Sequence, residues 1–146
     1  IFKDPINHAH SLLKQHLKFS KAQQEDGFIK DYMDWIHHSE FGLSYQPITS
    51  ENLKHTNLEC IDHWLEQWLL LYAKLIKAHE GGPNIVFVNG ELLHSGESWQ
   101  KISNFLAISS YDFEFRDMRK NIETDCNQEL YQKCKILYDN LNKIAI

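Results

Sequence analysis

The 146-residue sequence has only three cysteines, Cys60, Cys126 and Cys134, and no CxxC pair among them. So odd and sparse a set argues against a disulfide framework and fits the reduced thiols of a cytoplasmic protein. Long apolar runs are also missing. The longest lies within "WLLLYA", and Glu66, Gln67, Lys74 and Lys77 share its helical stretch, so no transmembrane span is expected. Positive charge is not in excess: 15 Lys and Arg stand against 20 Asp and Glu, for a formal net charge of -5. That disfavours a dedicated nucleic-acid binder, because phosphate neutralisation supplies most of such binding. It leaves room for one small basic pocket that holds a single phosphate. There is no internal repeat, low-complexity tract, linker or Gly-rich phosphate cradle.

What is there is ordinary for a globular chain: 42 % apolar and 24 % charged residues, in a length that suits one domain. "IF" reads as the end of a strand, Asp4 as a helix N-cap and Pro5 as the first helical position. Ile6, Ala9, Leu13 and Leu17 then share one side of a helix, and Asn7, Ser11 and Lys14 the other. A second helix is expected over Gly27 to His37, with Phe28, Tyr32, Trp35 and Ile36 as its apolar residues. "SEFGLSYQPIT" reads as a loop. Thr56 and Glu59 fit a capping box before a long helix carrying Leu58, Ile61, Trp64, Leu65, Trp68, Leu71, Tyr72 and Leu75, which Gly81, Gly82 and Pro83 end. "ESWQKISNFL" suits a short helix with Trp99, Ile102, Phe105 and Leu106 inside. A final helix from about Asn127 to Lys143 carries Leu130, Cys134, Leu137 and Leu141 on its apolar stripe.

"NIVFVNG" is a nearly continuous apolar run between turn residues, the pattern of a buried parallel strand. Two short strand fragments cannot build a useful sheet. The pattern therefore predicts an α/β fold in which residues 1–146 are the mostly helical C-terminal part of a larger domain, with further strands before Ile1.

The segment "FKDPINHAHS" has a specific physical sense. A cation stands where a strand ends, a helix N-terminus with its positive dipole end follows, and a hydroxyl lies two turns along the polar face. Lys3 and Ser11 together make a candidate monophosphate site; they also read as a solvated lysine and a solvated helix serine.

In spacing, Lys3, Asp4, Pro5 and Ser11 resemble the 3′-phosphate-binding element of the PAPS-dependent sulfotransferases: a strand ending in Arg, then Asn/Asp-Pro, then a Ser eight residues after the Arg. The departure is Lys3, which keeps the charge but loses the bidentate fork. "HWLEQWLLLYAKLIKAHEGGPNIVFVNGELL" is similar to a downstream family segment, with Glu91 at the family's Glu and Asn89-Gly90 where an aromatic is commoner. "ESWQKISNFLAI" is similar to the helix that follows. "HSLLKQHLKF" and "DYMDWIHHSEFGL" look closest to bacterial-type members. "RDMRKN" is similar to the basic stretch over the cofactor, making Arg116, Arg119 and Lys120 candidates, although Asn121 replaces the family's glycine.

The resemblance implies a P-loop-type parallel-sheet domain. It implies transfer of a sulfuryl group from PAPS to a hydroxyl or amine of a small-molecule, glycan or peptide acceptor. Lys3, Ser11, Arg119 and Lys120 would bind the cofactor. The 5′-phosphosulfate loop, the catalytic base and the sulfuryl-stabilising lysine would lie before Ile1, so the segment alone is expected to be inactive; its expected partners are the rest of its own domain and, in a homo-oligomer, further copies of itself.

Other features stay open at this level. His8, His10 and His16 share one helix, but His8 and His10 diverge by about 200°, which is incompatible with a shared tetrahedral ion. His37 and His38 diverge likewise, and no metal site is expected. His8, beside Ser11, reads as a solvated histidine or a contact to cofactor or acceptor. Glu91 reads as a structural or a site carboxylate, and Trp35, Trp64, Trp68 and Trp99 as core or acceptor pocket. No Ser-His-Asp or Cys-His arrangement gains local support. The rival readings are a non-catalytic helical interaction module and, disfavoured by the lack of an Arg-rich lid, a nucleotide kinase.

Overall fold

The computed structural model describes residues 1–49, 53–82, 85–93, 97–109 and 124–146, and these are mostly helical. The helices are α1 (Pro5–Glu25), α2 (Gly27–Trp35), α3 (Ile61–Glu80), α4 (Glu97–Leu106) and α5 (Gln128–Ile144). Helices α1, α3 and α5 pack on one another, and α2 folds back on α1. Their shared core holds Ile6 and Ala9 from α1, Ile61, Trp64, Leu65, Trp68 and Tyr72 from α3, and Leu130, Cys134 and Leu141 from α5.

Local signals account for most helix ends. Asp4 caps α1, its carboxylate accepting the Asn7 N–H at 3.1 Å, and Pro5 follows at the first position. Asp26 and Asn127 cap α2 and α5 in the same way. The expected Thr56–Glu59 capping box does not form: α3 starts at Ile61 after Cys60, which gives no side-chain cap, and the Glu59 N–H goes to the Asn57 side chain. α2 stops short of His37, whose φ of 58° lies in the left-handed region that ends helices.

The α/β parallel-sheet architecture expected from the sequence is overturned. Among the described residues the extended segments around Phe2 and Asn89 meet at one isolated parallel bridge, and no sheet forms. The reason lies in what satisfies the backbone. The Phe2 N–H donates to Val88 O at 2.9 Å and the Gly90 N–H to Phe2 O at 2.8 Å. Beyond that pair, Ile1 O accepts the Tyr72 hydroxyl at 2.8 Å and Phe87 O accepts the Ile146 N–H at 3.1 Å. A helix side chain and the backbone that follows α5 donate where neighbouring strands would otherwise pair. Within the run "IVFV", Phe87 is buried in the helical core rather than in a sheet.

α4 also turns differently from its expected orientation. Ser98 and Ser103 are the buried residues, while Phe105 and Leu106 are exposed. Its apolar side borders an open cavity of about 370 Å³, lined by Ile1, Val86, Val88, Trp99, Ile102 and Phe105 among others.

Candidate functional site

The bridge sets the geometry of the chain's most specific motif. Lys3 follows Phe2 directly, so it stands where the paired segments end and α1 begins. Gly90 permits the close approach: a Cβ there would meet Ile1 Cγ2 at 2.9 Å and Phe2 O at 3.5 Å. This explains Asn89-Gly90 where the resemblance leads one to expect an aromatic.

The N-terminus of α1 offers little of its own to an anion. Pro5 has no N–H, the Asn7 N–H is held by the Asp4 carboxylate, and the His8 N–H is held by Asp4 O at 2.9 Å. Ile6 keeps the remaining first-turn N–H, and the Asp4 carboxylate opposes a second negative group. Anion binding at this end therefore falls to side chains. Lys3 is half-buried and makes no hydrogen bond or ion pair with the described residues. Ser11 is exposed, one helical turn beyond Asn7, and its hydroxyl donates to Asn7 O at 2.8 Å. Such back-bonding is the resting state of a helix serine, and the hydroxyl must rotate to donate to a ligand. The hydroxyl donates to a carbonyl and not to a base, so among the described residues no hydrogen bond activates Ser11 as a nucleophile. Neither Lys3 nor Ser11 lines the open apolar cavity. Arg116, Arg119 and Lys120 lie outside the described residues.

His8 does not present its ring to the polar face. The ring meets Tyr72 edge-on at 6.2 Å, and its Nδ1 is shielded from solvent without a partner. Burial, then the nearby Lys3 ammonium, pulls its pKa down to about 4, so the ring is neutral at neutral pH.

Glu91 lies at the centre of a network that joins three parts of the chain. Its Oε1 accepts the Asn7 side-chain amide at 3.2 Å and its Oε2 accepts the Tyr138 hydroxyl at 3.0 Å. The Asn89 amide donates to that hydroxyl at 3.2 Å and to Asn142 Oδ1 at 2.7 Å, while Asn89 Oδ1 accepts the Glu91 N–H at 2.9 Å. Burial raises the Tyr138 pKa. With both carboxylate oxygens occupied, Glu91 ties α1, the extended segment and α5 together. A cavity of about 160 Å³ adjoins the network, bordered by Asn89, Ser98, Lys101 and Asn142.

Sequence reasoning missed a second polar cluster, at the other end of α1. His16 and His63 are both buried, with their rings against Tyr45 and Trp64. The available signal was His63 itself, placed among the buried positions Ile61, Trp64 and Leu65 rather than on a solvent face. The tryptophans divide: Trp64 and Trp68 are core, Trp99 borders the open cavity, and Trp35 is exposed.

Among the described residues no three His, Cys, Asp or Glu side chains gather closely enough to hold a metal ion, and no helix is long and apolar enough to cross a membrane. The three cysteines are free thiols. Comparison of the chain with protein-family models, curated proteins and solved structures finds no match.

Proposed function

We propose that this chain carries the 3′-phosphate-binding portion of a PAPS-dependent sulfotransferase, with Lys3 and Ser11 as the phosphate ligands. The observation that carries this reading is the placement of Lys3. It immediately follows a residue bridged in parallel to Asn89, and it immediately precedes an Asp-Pro-capped helix with Ser11 two turns along. A half-buried ammonium with no hydrogen-bond or ion-pair partner among the described residues suits an anionic group at such a junction. Because most first-turn N–H groups of α1 are taken, selectivity for the 3′-phosphate rests on Lys3 and Ser11 rather than on the helix end. Arg119 and Lys120 would add charge over the nucleotide. The reaction would move a sulfuryl group from PAPS to a hydroxyl or amine of a small-molecule, glycan or peptide acceptor, in a cytoplasmic setting that keeps the three thiols reduced. Catalysis would rest on positioning and on stabilising charge at the sulfuryl and leaving phosphate.

One observation favours a second reading, a non-catalytic helical interaction module. α2 leaves Phe28, Tyr32 and Trp35 exposed at 72, 49 and 76 %, with neighbouring rings 6.1 Å apart. Calorimetric titration of the chain with adenosine 3′,5′-bisphosphate and with 5′-AMP separates the two. The cofactor reading predicts at least about tenfold tighter binding of the bisphosphate, roughly 1.4 kcal/mol. Equal affinities for the two nucleotides contradict it and leave the interaction module.

A further inference from the structure

The stretch from His38 to Thr49 is strapped along α1 and α3 by four side chains. His16 Nδ1 accepts the Gly42 N–H at 3.2 Å, and Gln23 Oε1 accepts the Leu43 N–H at 2.6 Å. His63 Nε2 meets the Tyr45 hydroxyl at 2.7 Å. Gln67 exchanges hydrogen bonds with the Thr49 backbone at 3.2 and 2.9 Å. Two of these anchors are amides, which do not titrate, and two are imidazoles, which do.

The two imidazoles differ in what a proton would do. His63 Nδ1 lies 2.7 Å from His55 O, which can only accept, so Nδ1 carries the proton and Nε2 accepts from Tyr45. A second proton on His63 is tolerated, because the hydroxyl can turn and accept. His16 has no such freedom. Its Nδ1 faces a backbone N–H that can only donate, so a protonated ring sets donor against donor. Gly42 adopts a φ of 88°, and Gln23 Oε1 fills the space that a Cβ there would need, so no other residue fits this turn.

We propose that His16 is an acid-opened latch: proton uptake at Nδ1 releases the Gly42 N–H and loosens the loop there, while Gln23 still holds Leu43 and Gln67 still holds Thr49. The groups facing His16 are His63 from α3, Glu59 ahead of α3, and Tyr45 from the loop. Around His63 stand Glu66 on its own helix, His55 and Tyr45. Glu59 favours a proton on His16, but burial and the neighbouring His63 oppose it, and its pKa is lowered. Glu66 is already engaged by the N–H groups of Lys54 and His55 at 2.9 and 2.7 Å. With the closed-state pKa below that of a free histidine, the latch is fully closed above pH ~6.5 and weakens as pH falls toward the closed-state value.

The test is amide hydrogen exchange of the whole chain by NMR between pH 7.5 and 5, corrected for intrinsic rates, with the histidine ring signals followed alongside. The Gly42 opening constant should rise about tenfold per pH unit below ~6.5, its midpoint matching the His16 ring titration, while Thr49 stays protected. His16→Asn places a non-titrating oxygen where Nδ1 stood and should make the Gly42 profile flat. Should that variant not fold, the wild-type ring titration decides alone. A His16 ring titrating at the ordinary value, a Gly42 amide indifferent to pH, or an equal rise in His16→Asn overturns the proposal.

Discussion

The two faces of the paired segments at Phe2 and residues 85–90 have opposite fates, although both are apolar. Phe2 and Phe87 point into the α1–α3–α5 core; Phe2 packs edge-on against Tyr72 at 6.4 Å and Tyr138 at 5.7 Å. Ile1, Val86 and Val88 border the open cavity beneath α4, and Ile1 remains 74 % exposed. The alternation of side chains along an extended segment puts neighbours on opposite faces. The helices close over one face, while the other borders the open cavity beside α4, whose buried residues are Ser98 and Ser103 rather than Trp99 and Phe105. The buried packing of the described structure therefore lies on one side of this pair, and the proposed phosphate site lies at its end, where Lys3 emerges.

The largest effect should come from emptying the closed face. Phe2→Ala removes a fully buried ring and should cost about 3–5 kcal/mol, measured by chemical denaturation. A loss below about 1 kcal/mol would mean that the two faces are alike. Next is the pH response of the same side. His8 is buried neutral with a pKa of about 4, below the ~6.5 of the unfolded chain. The unfolded chain binds the proton first, so this stability is fully present above pH ~6.5 and is lost as pH falls toward 4. The loss is at most about 3 kcal/mol, and His8→Gln should flatten that window in urea melts at stepped pH. Gly42→Ala forces a side chain into a positive φ and against Gln23, and should cost about 1–3 kcal/mol in thermal melts. The smallest effect is expected on the open face. Phe105→Ala, at a residue 57 % exposed beside the cavity, should change stability by no more than about 0.5 kcal/mol. A large loss there would show that this face is packed as tightly as the other.

Local signals in the sequence foretold local structure. Asp4-Pro5 and Asn127 announced helix starts that formed, and the spacing from Ile61 to Tyr72 announced the buried stripe of α3. The sequence reading failed where tertiary context decides. "NIVFVNG" carries the apolarity of a parallel strand, yet helices can bury such a run as well as a sheet can, and periodicity cannot tell them apart. Trp99, Ile102, Phe105 and Leu106 form a helical stripe, but a stripe names a face without naming what covers it. α2 shows the same limit: of its residues only Met33 is buried, held 3.0 Å from the Gln23 amide, while its aromatics face out. At the candidate site, Lys3 and Ser11 were visible because the motif is contiguous. The Glu91 network was not, because Asn7 lies 84 residues from Glu91, and Tyr138 lies 47. Glu91 itself was singled out with both roles open, and its occupied oxygens support the structural one.

The most direct test of the account is the charge at Lys3. Calorimetry on Lys3→Ala should show adenosine 3′,5′-bisphosphate binding weakened by about 1.5–3 kcal/mol, roughly 10- to 150-fold, with 5′-AMP unchanged. Lys3→Arg should keep or improve bisphosphate binding, because the guanidinium fork restores two-point contact. An unchanged bisphosphate affinity in Lys3→Ala, or an equal loss for both nucleotides, would contradict a 3′-phosphate site at this junction.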